Sequence, residues 1–316
     1  MTDTVFDPTR DQLPRFAIRR TRDKRALDAA LGEDRAYAAY ALGHLEDELF
    51  HHSTFWIAEG PSGSGIVLHS RAMGQTLFVG GDPAAVDAIL SLHPGPRFTY
   101  LTTSSPDHEE VIRRSHTLAD GLHMTRMSVT GVSFAAMQGS VRRLSGPDVR
   151  ELNSLYALEG AGYYSAAHIE RGVYFGAYRD GRMVAAAGTH IVAPNVGVAV
   201  VGNVFTDPGY RGQRLATLVT SHVTDDLLNR GCSLVALTVD PTNTPAVRAY
   251  ARLGYERGST VIEARARRRD FLGVGAWFRR RTARRGTHRG EAQERATGRP
   301  PQTAPDHSQN DEESHK

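Results

Sequence analysis

The chain has 316 residues, of which 40% are hydrophobic and 23% are charged. Its length predicts two domains plus tails, and no apolar run approaches the ~20 residues that a membrane-spanning helix needs. Cys232 is the single cysteine, which excludes an intramolecular disulfide and argues against a cysteine-based metal site. Residues 1–15 contain aspartates and no apolar core, so we predict no secretory signal and expect a cytoplasmic protein without a membrane partner.

The positive charge is concentrated at the C-terminal end. Residues 265–299 contain 12 arginines, whereas residues 1–264 hold 25 Lys and Arg against 28 Asp and Glu. The sequence pI of about 9.1 therefore reflects the tail and not the globular part. We expect this charged tail to be largely disordered, and we do not expect nucleic acid as a partner.

The first half of the chain alternates strand and helix patterns. A helical segment is expected at 23–49, and Gly80-Gly81-Asp82-Pro83 precedes a second helix at 84–92. A third helix is expected at 107–116. The predicted strands are 15–20, 55–59, 66–70, 76–79, 98–102 and 123–128.

The second half repeats this order. The pair Asp180-Gly181 lies between two β-rich runs and predicts a hairpin of 173–178 with 183–191. Helices are expected at 148–158, 213–229 and 244–253, with strands at 196–206 and 233–239 and closing strands from 255. The shared order suggests a duplicated fold.

The stretch from Thr206 to Ala216 carries the first candidate site. A strand ends at Thr206, a loop containing Gly209 and Gly212 follows, and a helix begins near Gln213. Free backbone N–H groups at a helix start, together with the positive end of the helix dipole, form a natural phosphate site.

A second element follows one strand later. Asn243 is a good N-cap for a helix with Pro245 in its first turn, and Gly254 suits the C-terminal cap. Tyr250 lies about two turns into this helix. Taken alone, Asn243 could be only a cap and Tyr250 only a core residue.

Together the two elements resemble the GNAT acyltransferase superfamily. Arg211 and Ala216 fit the frame Arg/Gln-x-x-Gly-x-Gly/Ala. The later frame Asn-x-x-Ala-x-x-x-Tyr-x-x-x-Gly-Phe/Tyr is matched by Asn243, Ala246, Tyr250, Gly254 and Tyr255. The stretches 172–181, 187–190 and 201–204 are similar to the glycine N-acyltransferase-like branch. The resemblance covers about 141–263. It has one departure, because Arg214 stands where the family usually has glycine. We expect the backbone of this loop to keep its phosphate-binding shape only if Arg214 adopts an ordinary helical conformation.

The resemblance implies an enzyme that uses acetyl-CoA, or another acyl-CoA, without a metal. Tyr250 would protonate the departing thiolate as the catalytic residue, and Asn243 would bind the pantetheine arm. The implied cofactor-binding set is Val204, Phe205, Thr206, Arg211, Gly212, Gln213, Arg214, Leu215, Ala216, Thr217 and Asn243.

The general base is not specified by the pattern. Asn203 lies where many relatives place a carboxylate, and an amide cannot accept the proton. A water chain, Glu159 or His190 could do so instead. Tyr163 and Tyr164 lie in the loop that usually borders the acceptor pocket, so the candidate pocket comprises Glu159, Tyr163, Tyr164 and Asn203.

The resemblance implies a mixed α/β fold of two tandem GNAT-like domains, each a mostly antiparallel twisted sheet flanked by helices. The expected division is a tail at 1–14, a degenerate domain at 15–137, a catalytic domain at 138–265 and a basic tail at 266–316. Residues 79–84, at the matching junction of the first half, lack the arginine and carry Asp82, which would repel phosphate.

The leading functional hypothesis is transfer of an acyl group to the amine of a small molecule, with acetyl as the first candidate for that group. Mycothiol synthase-like chemistry is an alternative from the same class, because that enzyme also has tandem GNAT domains at this length. A non-catalytic acyl-CoA sensor or interaction module is an alternative from a different class.

Overall fold

The computed structural model describes residues 16–160 and 163–270. Within these ranges the chain forms twelve strands and nine α-helices. The strands are β1 (Ala17–Thr21), β2 (Ser53–Gly60), β3 (Gly63–Ser70), β4 (Thr76–Gly81), β5 (Phe98–Thr103), β6 (His116–Thr130), β7 (Arg142–Arg143), β8 (Phe175–Arg179), β9 (Arg182–Ala193), β10 (Val198–Thr206), β11 (Leu234–Val239) and β12 (Glu256–Arg268). The helices are α1 (Lys24–Leu31), α2 (Ala39–Gly43), α3 (Asp47–Phe50), α4 (Pro83–Leu92), α5 (Glu109–Ser115), α6 (Val149–Tyr156), α7 (Ala166–Arg171), α8 (Leu215–Asn229) and α9 (Thr244–Ala251).

All twelve strands belong to one mixed sheet, which confirms the predicted α/β class. The order across the sheet is β1-β2-β3-β4-β5-β12-β6-β11-β10-β9-β8-β7. Among these strands, only two pairs are parallel: β4 with β5, and β10 with β11. The two parallel pairs lie on opposite sides of the centre of the sheet, the same number of strands away from it. The predicted hairpin at Asp180-Gly181 is present as the antiparallel pair β8 and β9.

The centre of the sheet joins the two halves of the chain. Strand β6 comes from the first half but lies between β11 and β12, and β12 comes from the second half but lies between β5 and β6. The expectation of a separate sheet in each half is therefore wrong, because each half places its last strand inside the other. The matching strand order on both sides supports the tandem arrangement, which stays a prediction.

Helices cover both faces of this sheet. Alternate residues of a strand point to opposite faces, so Val198 and Val200 of β10 pack with Leu42 of α2, whereas Ala199 and Val201 pack in the cluster that contains α8. A Cβ added to Gly43 would lie 2.3 Å from the Ile191 side chain, so α2 lies very close to β9. A helix of the first half thus covers strands of the second half.

The C-terminal boundary differs from the prediction. Strand β12 continues to Arg268, and Ala266 pairs with Thr99 of β5 and Leu118 of β6. Residues 266–268 therefore belong to the sheet and not to the tail. Residues 271–316 and 1–15, which include most of the predicted tails, lie outside the described residues. None of the helices described is both long and apolar enough to cross a bilayer.

Candidate functional site

A cleft opens where β10 and β11 separate. Their parallel pairing runs from Val198 with Leu234 to Val201 with Leu237 and then ends. Beyond this point lies a cavity of about 900 Å³ between the two strands, the start of α8 and one side of α9. The predicted site residues that line it are Asn203, Val204, Phe205, Thr206, Arg211, Gly212, Arg214, Leu215, Ala216, Thr217, Asn243 and Tyr250.

A bulge in β10 shapes one wall of the cleft. Gly202 pairs with Gly188 and Phe205 with Ala186, so Asn203 and Val204 have no paired residue on β9 or on β11. Asn203 has a left-handed backbone with φ of 55°. A left-handed residue at a bulge bends the strand and turns its backbone groups away from the ladder. Backbone groups at this point are therefore released from sheet pairing beside the cleft.

The loop before α8 leaves the first turn of that helix uncapped. Arg214 occupies the N-cap position without a side-chain hydrogen bond, and the first amide bonded within the helix is that of Leu218, which donates to the Arg214 carbonyl at 3.0 Å. The amides of residues 215–217 have no helical acceptor. Gly212 has φ of 80°, and a Cβ added there would contact nothing within 4 Å. The helix start is open, and its amides together with the dipole suit a phosphate group.

Arg214 corrects one expectation. We expected an ordinary helical conformation, but its φ is 59° and its ψ is 18°, in the left-handed region. This is the region that glycine enters without cost, so Arg214 keeps the backbone course that a glycine would favour at this point. An arginine in this conformation carries local backbone strain that a glycine would not.

The carboxylate of Asp207, in the loop before α8, is engaged by other groups of the protein. Asp207 accepts a hydrogen bond from the Gly209 amide at 2.9 Å and forms an ion pair with Arg182. The Arg211 side chain is exposed, with its Nε 3.4 Å from the Thr206 carbonyl. The negative charge of Asp207 is thus satisfied within the loop, and arginines remain at the mouth of the cleft.

Helix α9 supplies the other wall. The Asn243 side chain accepts from the Ala246 amide at 3.2 Å and caps the helix as predicted. Tyr250 is 7% exposed, and burial raises its pKa to about 12. Within the described residues its hydroxyl has no hydrogen-bond partner. Tyr250 is therefore a protonated phenol at neutral pH with an unused donor in the lining of the cleft.

At the matching junction of the first half, polar groups have partners within the protein. The Asp82 side chain accepts from the Ala85 amide at 2.9 Å and caps α4, where α8 has no such cap. The Tyr37 hydroxyl donates to the Val79 carbonyl at 2.9 Å, and His108 Nε2 lies 2.9 Å from the Gly81 carbonyl. The backbone groups at this junction are occupied, which supports the prediction that the first half does not bind the cofactor.

A polar network surrounds Asn203. Its Oδ1 accepts from the Tyr164 hydroxyl at 2.6 Å and from His190 Nε2 at 3.1 Å. Its carbonyl accepts from the Tyr156 hydroxyl at 2.6 Å, and its Nδ2 lies 3.3 Å from the Tyr174 hydroxyl. The left-handed backbone of Asn203 is thus held on both its main chain and its side chain.

His190 connects this network to the first half of the chain. An amide oxygen only accepts, so His190 Nε2 carries the hydrogen that points to Asn203, and Nδ1 accepts from the Tyr40 hydroxyl at 2.6 Å. Burial lowers the pKa of His190, which favours the neutral ring. Both ring nitrogens are therefore engaged, and neither is available in this arrangement to accept a proton from a substrate.

A buried arginine lies beside Tyr40 at the junction of the halves. Arg126 of β6 is fully buried and donates to Thr103 of β5 at 2.8 Å and to Thr238 of β11. Its guanidinium carbon lies 5.1 Å from the centre of the Tyr40 ring. Glu263 of β12 lies in the same cluster, and burial raises the pKa of its carboxyl while Arg126 lowers it.

The structure brings together most, but not all, of the predicted residues. Tyr164 contacts Asn203 directly, whereas Tyr163 is 85% exposed and Gln213 is absent from the lining of the cleft. Glu159 ends a short 3₁₀ turn, and its side chain is outside the described part. Tertiary contacts alone reveal the residues that were missed, which are Tyr40 (bonded to His190, 150 residues away), Tyr156 and Tyr174 (both bonded to Asn203) and Arg126 (beside the Tyr40 ring).

Comparison with known proteins identifies the class of the second half. Residues 144–255 match the model of the Acetyltransferase (GNAT) family. The [ribosomal protein bS18]-alanine N-acetyltransferase of Escherichia coli K12 is 31% identical over 90 residues, which are 28% of this chain and 59% of that protein. The mycothiol acetyltransferase of Kytococcus sedentarius is 40% identical over 89 residues, which are 27% of this chain and 28% of that protein. The similarity to the GNAT family is thus carried by residues 144–255.

Solved structures with the same fold cover more of the chain. A GCN5-related N-acetyltransferase from Kribbella flavida is 20% identical with a TM-score of 0.51, covering 73% of this chain and 95% of that one. A Drosophila protein is 15% identical with a TM-score of 0.54, covering 77% and 86%. These likenesses concern the fold. The chain spans less than two thirds of the length of the curated relatives named above.

Proposed function

We propose that this protein transfers an acyl group, acetyl in the simplest case, from acyl-CoA to the amine of a small molecule. The observation that carries the proposal is the uncapped start of α8 beside the open Gly212, at the point where β10 and β11 separate. The contrast with α4, where Asp82 fills the same position, argues that this opening is a feature of one half only.

The residues of the cleft fit the parts of acyl-CoA. The amides of residues 215–217 and the positive end of α8 would hold the pyrophosphate. The stretch 203–206 of β10, which has no partner on β11, would bind the pantetheine arm as an additional strand would, with one N–H directed at the thioester oxygen. Asn243, which caps α9, would bind the same arm from the opposite wall.

The chemistry requires proton transfer at two places. The amine nitrogen forms a bond to the acyl carbon, the carbon–sulfur bond breaks, and the thiolate takes a proton from the Tyr250 hydroxyl. Because burial raises the pKa of Tyr250 to about 12, the phenol remains a donor throughout the neutral range. The proton from the amine would leave through water, since both nitrogens of His190 are already bonded.

The acceptor would enter beside Asn203, where Tyr164 and His190 meet. The sequence resemblance to the glycine N-acyltransferase-like branch favours a small amine. The 40% identity to a mycothiol acetyltransferase over 89 residues favours a second candidate, the acceptor of that enzyme. A peptide with an N-terminal alanine is the third candidate acceptor, because it represents the relative from Escherichia coli. These three candidates form the acceptor panel.

Binding of acetyl-CoA is the first test. Ligand at 100 times its dissociation constant should stabilise the fold by about 2.7 kcal/mol, which is visible as a rise in Tm. Titration calorimetry should give one site per chain. Gly212→Asp should abolish both signals, whereas Gly74→Asp should not, because Gly74 has the same backbone region and equally open surroundings but lies away from the cleft.

Turnover separates an enzyme from an acyl-CoA sensor. Release of free CoA thiol in the presence of the acceptor panel, and not in its absence, identifies acyl transfer. Binding without acceptor-dependent release would favour the sensor, and absence of binding with every acyl chain length would end the proposal.

A further inference from the structure

A second cavity, which we call the basic cavity, lies in the first half of the chain. It has a volume of about 560 Å³ and lies between the start of β2, the end of β3 and residues 93–96. Its lining includes three arginines, Arg20, Arg71 and Arg268, and four histidines, but no aspartate or glutamate. Its volume is in the range of small-molecule sites.

Two of these arginines have no carboxylate partner in the described residues. Arg20 and Arg71 are exposed and form no ion pair there, although Arg19, the neighbour of Arg20, pairs with Glu59 at 2.9 Å. Arg268 is held in place differently, since its guanidinium donates to the Gly95 carbonyl at 2.7 Å. The charges of Arg20 and Arg71 therefore lie beside one cavity without an ion pair to any of the described residues.

The wall of the basic cavity is firmly packed. The rings of Trp56 and His93 are stacked, with centroids 3.5 Å apart and planes at 11°. His69 Nε2 lies 3.0 Å from the His93 carbonyl, and a Cβ on Gly95 would be 2.3 Å from the His69 ring. Burial lowers the pKa of His69 to about 4, so this ring is neutral and the charge comes from the arginines.

The basic cavity is separate from the cleft beside α8. Strands β3 and β10 are six positions apart in the sheet, which corresponds to roughly 29 Å at about 4.8 Å per strand. The basic cavity also lies at the opposite end of β3 from Gly63–Ile66, which line the closed junction near Asp82. Occupation of one site therefore need not block the other.

We propose that the basic cavity binds a small molecule through an oxyanion group, a phosphate or a carboxylate. Arginine presents its N–H groups as a planar fork that matches both groups, and two unpaired forks at one cavity favour a ligand with more than one negative charge. Phosphorylated and polycarboxylated metabolites share this chemistry. The site is independent of the proposed acyl transfer and needs no acyl-CoA to form.

Calorimetric titration with sodium pyrophosphate and, separately, sodium citrate tests this site. The full-length Gly212→Asp variant is the background, because it removes the other candidate phosphate site. One binding event per chain is expected. Adding Arg20→Ala and Arg71→Ala should raise the Kd at least tenfold, and adding Arg150→Ala and Arg257→Ala, two exposed arginines on other surfaces, should change it little.

Each outcome decides the proposal. Pyrophosphate binding alone assigns a phosphate ligand, and citrate binding alone assigns a carboxylate ligand. Absence of binding for both anions, or equal weakening by the two pairs of substitutions, would overturn the site. Circular dichroism melting of each variant confirms that the chain remains folded during these measurements.

Discussion

Two of the three non-glycine residues with a left-handed backbone in the described chain, Asn203 and Arg214, border the cleft. The third, Asp180, lies in the turn of a hairpin, where such a backbone is ordinary. Strain of this kind persists only where surrounding contacts enforce it, and it often marks functional positions. At Asn203 those contacts are the hydroxyls of Tyr156 and Tyr164.

Arg214→Gly should stabilise the protein. A left-handed backbone costs a residue with a Cβ about 1–2 kcal/mol, and the added freedom of glycine in the unfolded chain removes about 0.4–1 kcal/mol of that gain. We therefore expect a gain of up to about 1.6 kcal/mol by denaturant unfolding. Arg214→Ala, which keeps the strain and removes the charge, should show no gain. A more stable Ala than Gly variant would contradict this account.

Tyr250→Phe should separate chemistry from binding. The substitution keeps the buried ring and removes a hydroxyl that has no partner in the described residues, so stability and acetyl-CoA affinity should barely change. Loss of the proton donor should lower kcat by roughly 10²-fold.

Asn243→Ala is the contrasting control. It should weaken acetyl-CoA binding and also cost about 1 kcal/mol of stability through the lost helix cap. Full turnover in Tyr250→Phe would show that the hydroxyl has no chemical role. A large drop in the Tm of Tyr250→Phe would identify Tyr250 as a purely structural residue.

At the scale of elements, α2 is the point where the first half reaches the candidate site. Its Tyr40 bonds to His190 of β9, and its close packing on Ile191 fixes the distance between them. Burial raises the pKa of the Tyr40 hydroxyl, which therefore remains a donor and holds His190 in the tautomer that points Nε2–H at Asn203. We regard Tyr40 as a positioning residue.

Tyr40→Phe should lower kcat and leave the acetyl-CoA Kd unchanged. The lost hydrogen bond is worth about 1 kcal/mol, which corresponds to roughly fivefold in rate. Tyr37→Phe is the matched control, since it also removes a buried hydroxyl from the first half, but one that bonds to backbone groups of the first half and not to His190. Equal losses of turnover in the two variants would mean that Tyr40 has only a structural role.

At the scale of the whole molecule, the central strands make the halves dependent on each other. Both neighbours of β12, β5 and β6, come from the first half, and both neighbours of β6 come from the second. The cluster around Leu42 also combines residues of both halves, including Ile191, Val198 and Ala236. A cut between residues 137 and 138 therefore separates β6 and β12 from all their pairing partners.

Residues 138–316 expressed alone should fail to fold or should aggregate, because β12 would lose its pairing partners on both sides. Co-expression with residues 1–137 should restore a soluble complex that binds one acetyl-CoA. Circular dichroism melting and size-exclusion chromatography measure both outcomes. A cooperative melt and full acetyl-CoA binding by residues 138–316 alone would contradict the dependence.

The sequence by itself determined the local features of the site. The strand-loop-helix at 206–216 and the cap at Asn243 follow from residue types a few positions apart, and local backbone and hydrogen-bonding preferences govern such features. The Asp180-Gly181 hairpin was predicted for the same reason. The sequence motif shared with the GNAT family added Tyr250. This residue lines the cleft from α9, a helix that local sequence signals also predict.

Only the tertiary structure decided the exchange of β6 and β12, the reach of Tyr40 to His190, and the burial of Arg126 between Thr103 and Thr238. These contacts join residues more than 20 and up to 169 positions apart, and no periodicity or short motif records which strand will lie beside another. The backbone of Arg214 is a similar case, because the tertiary structure holds a residue in a region that its own propensity disfavours.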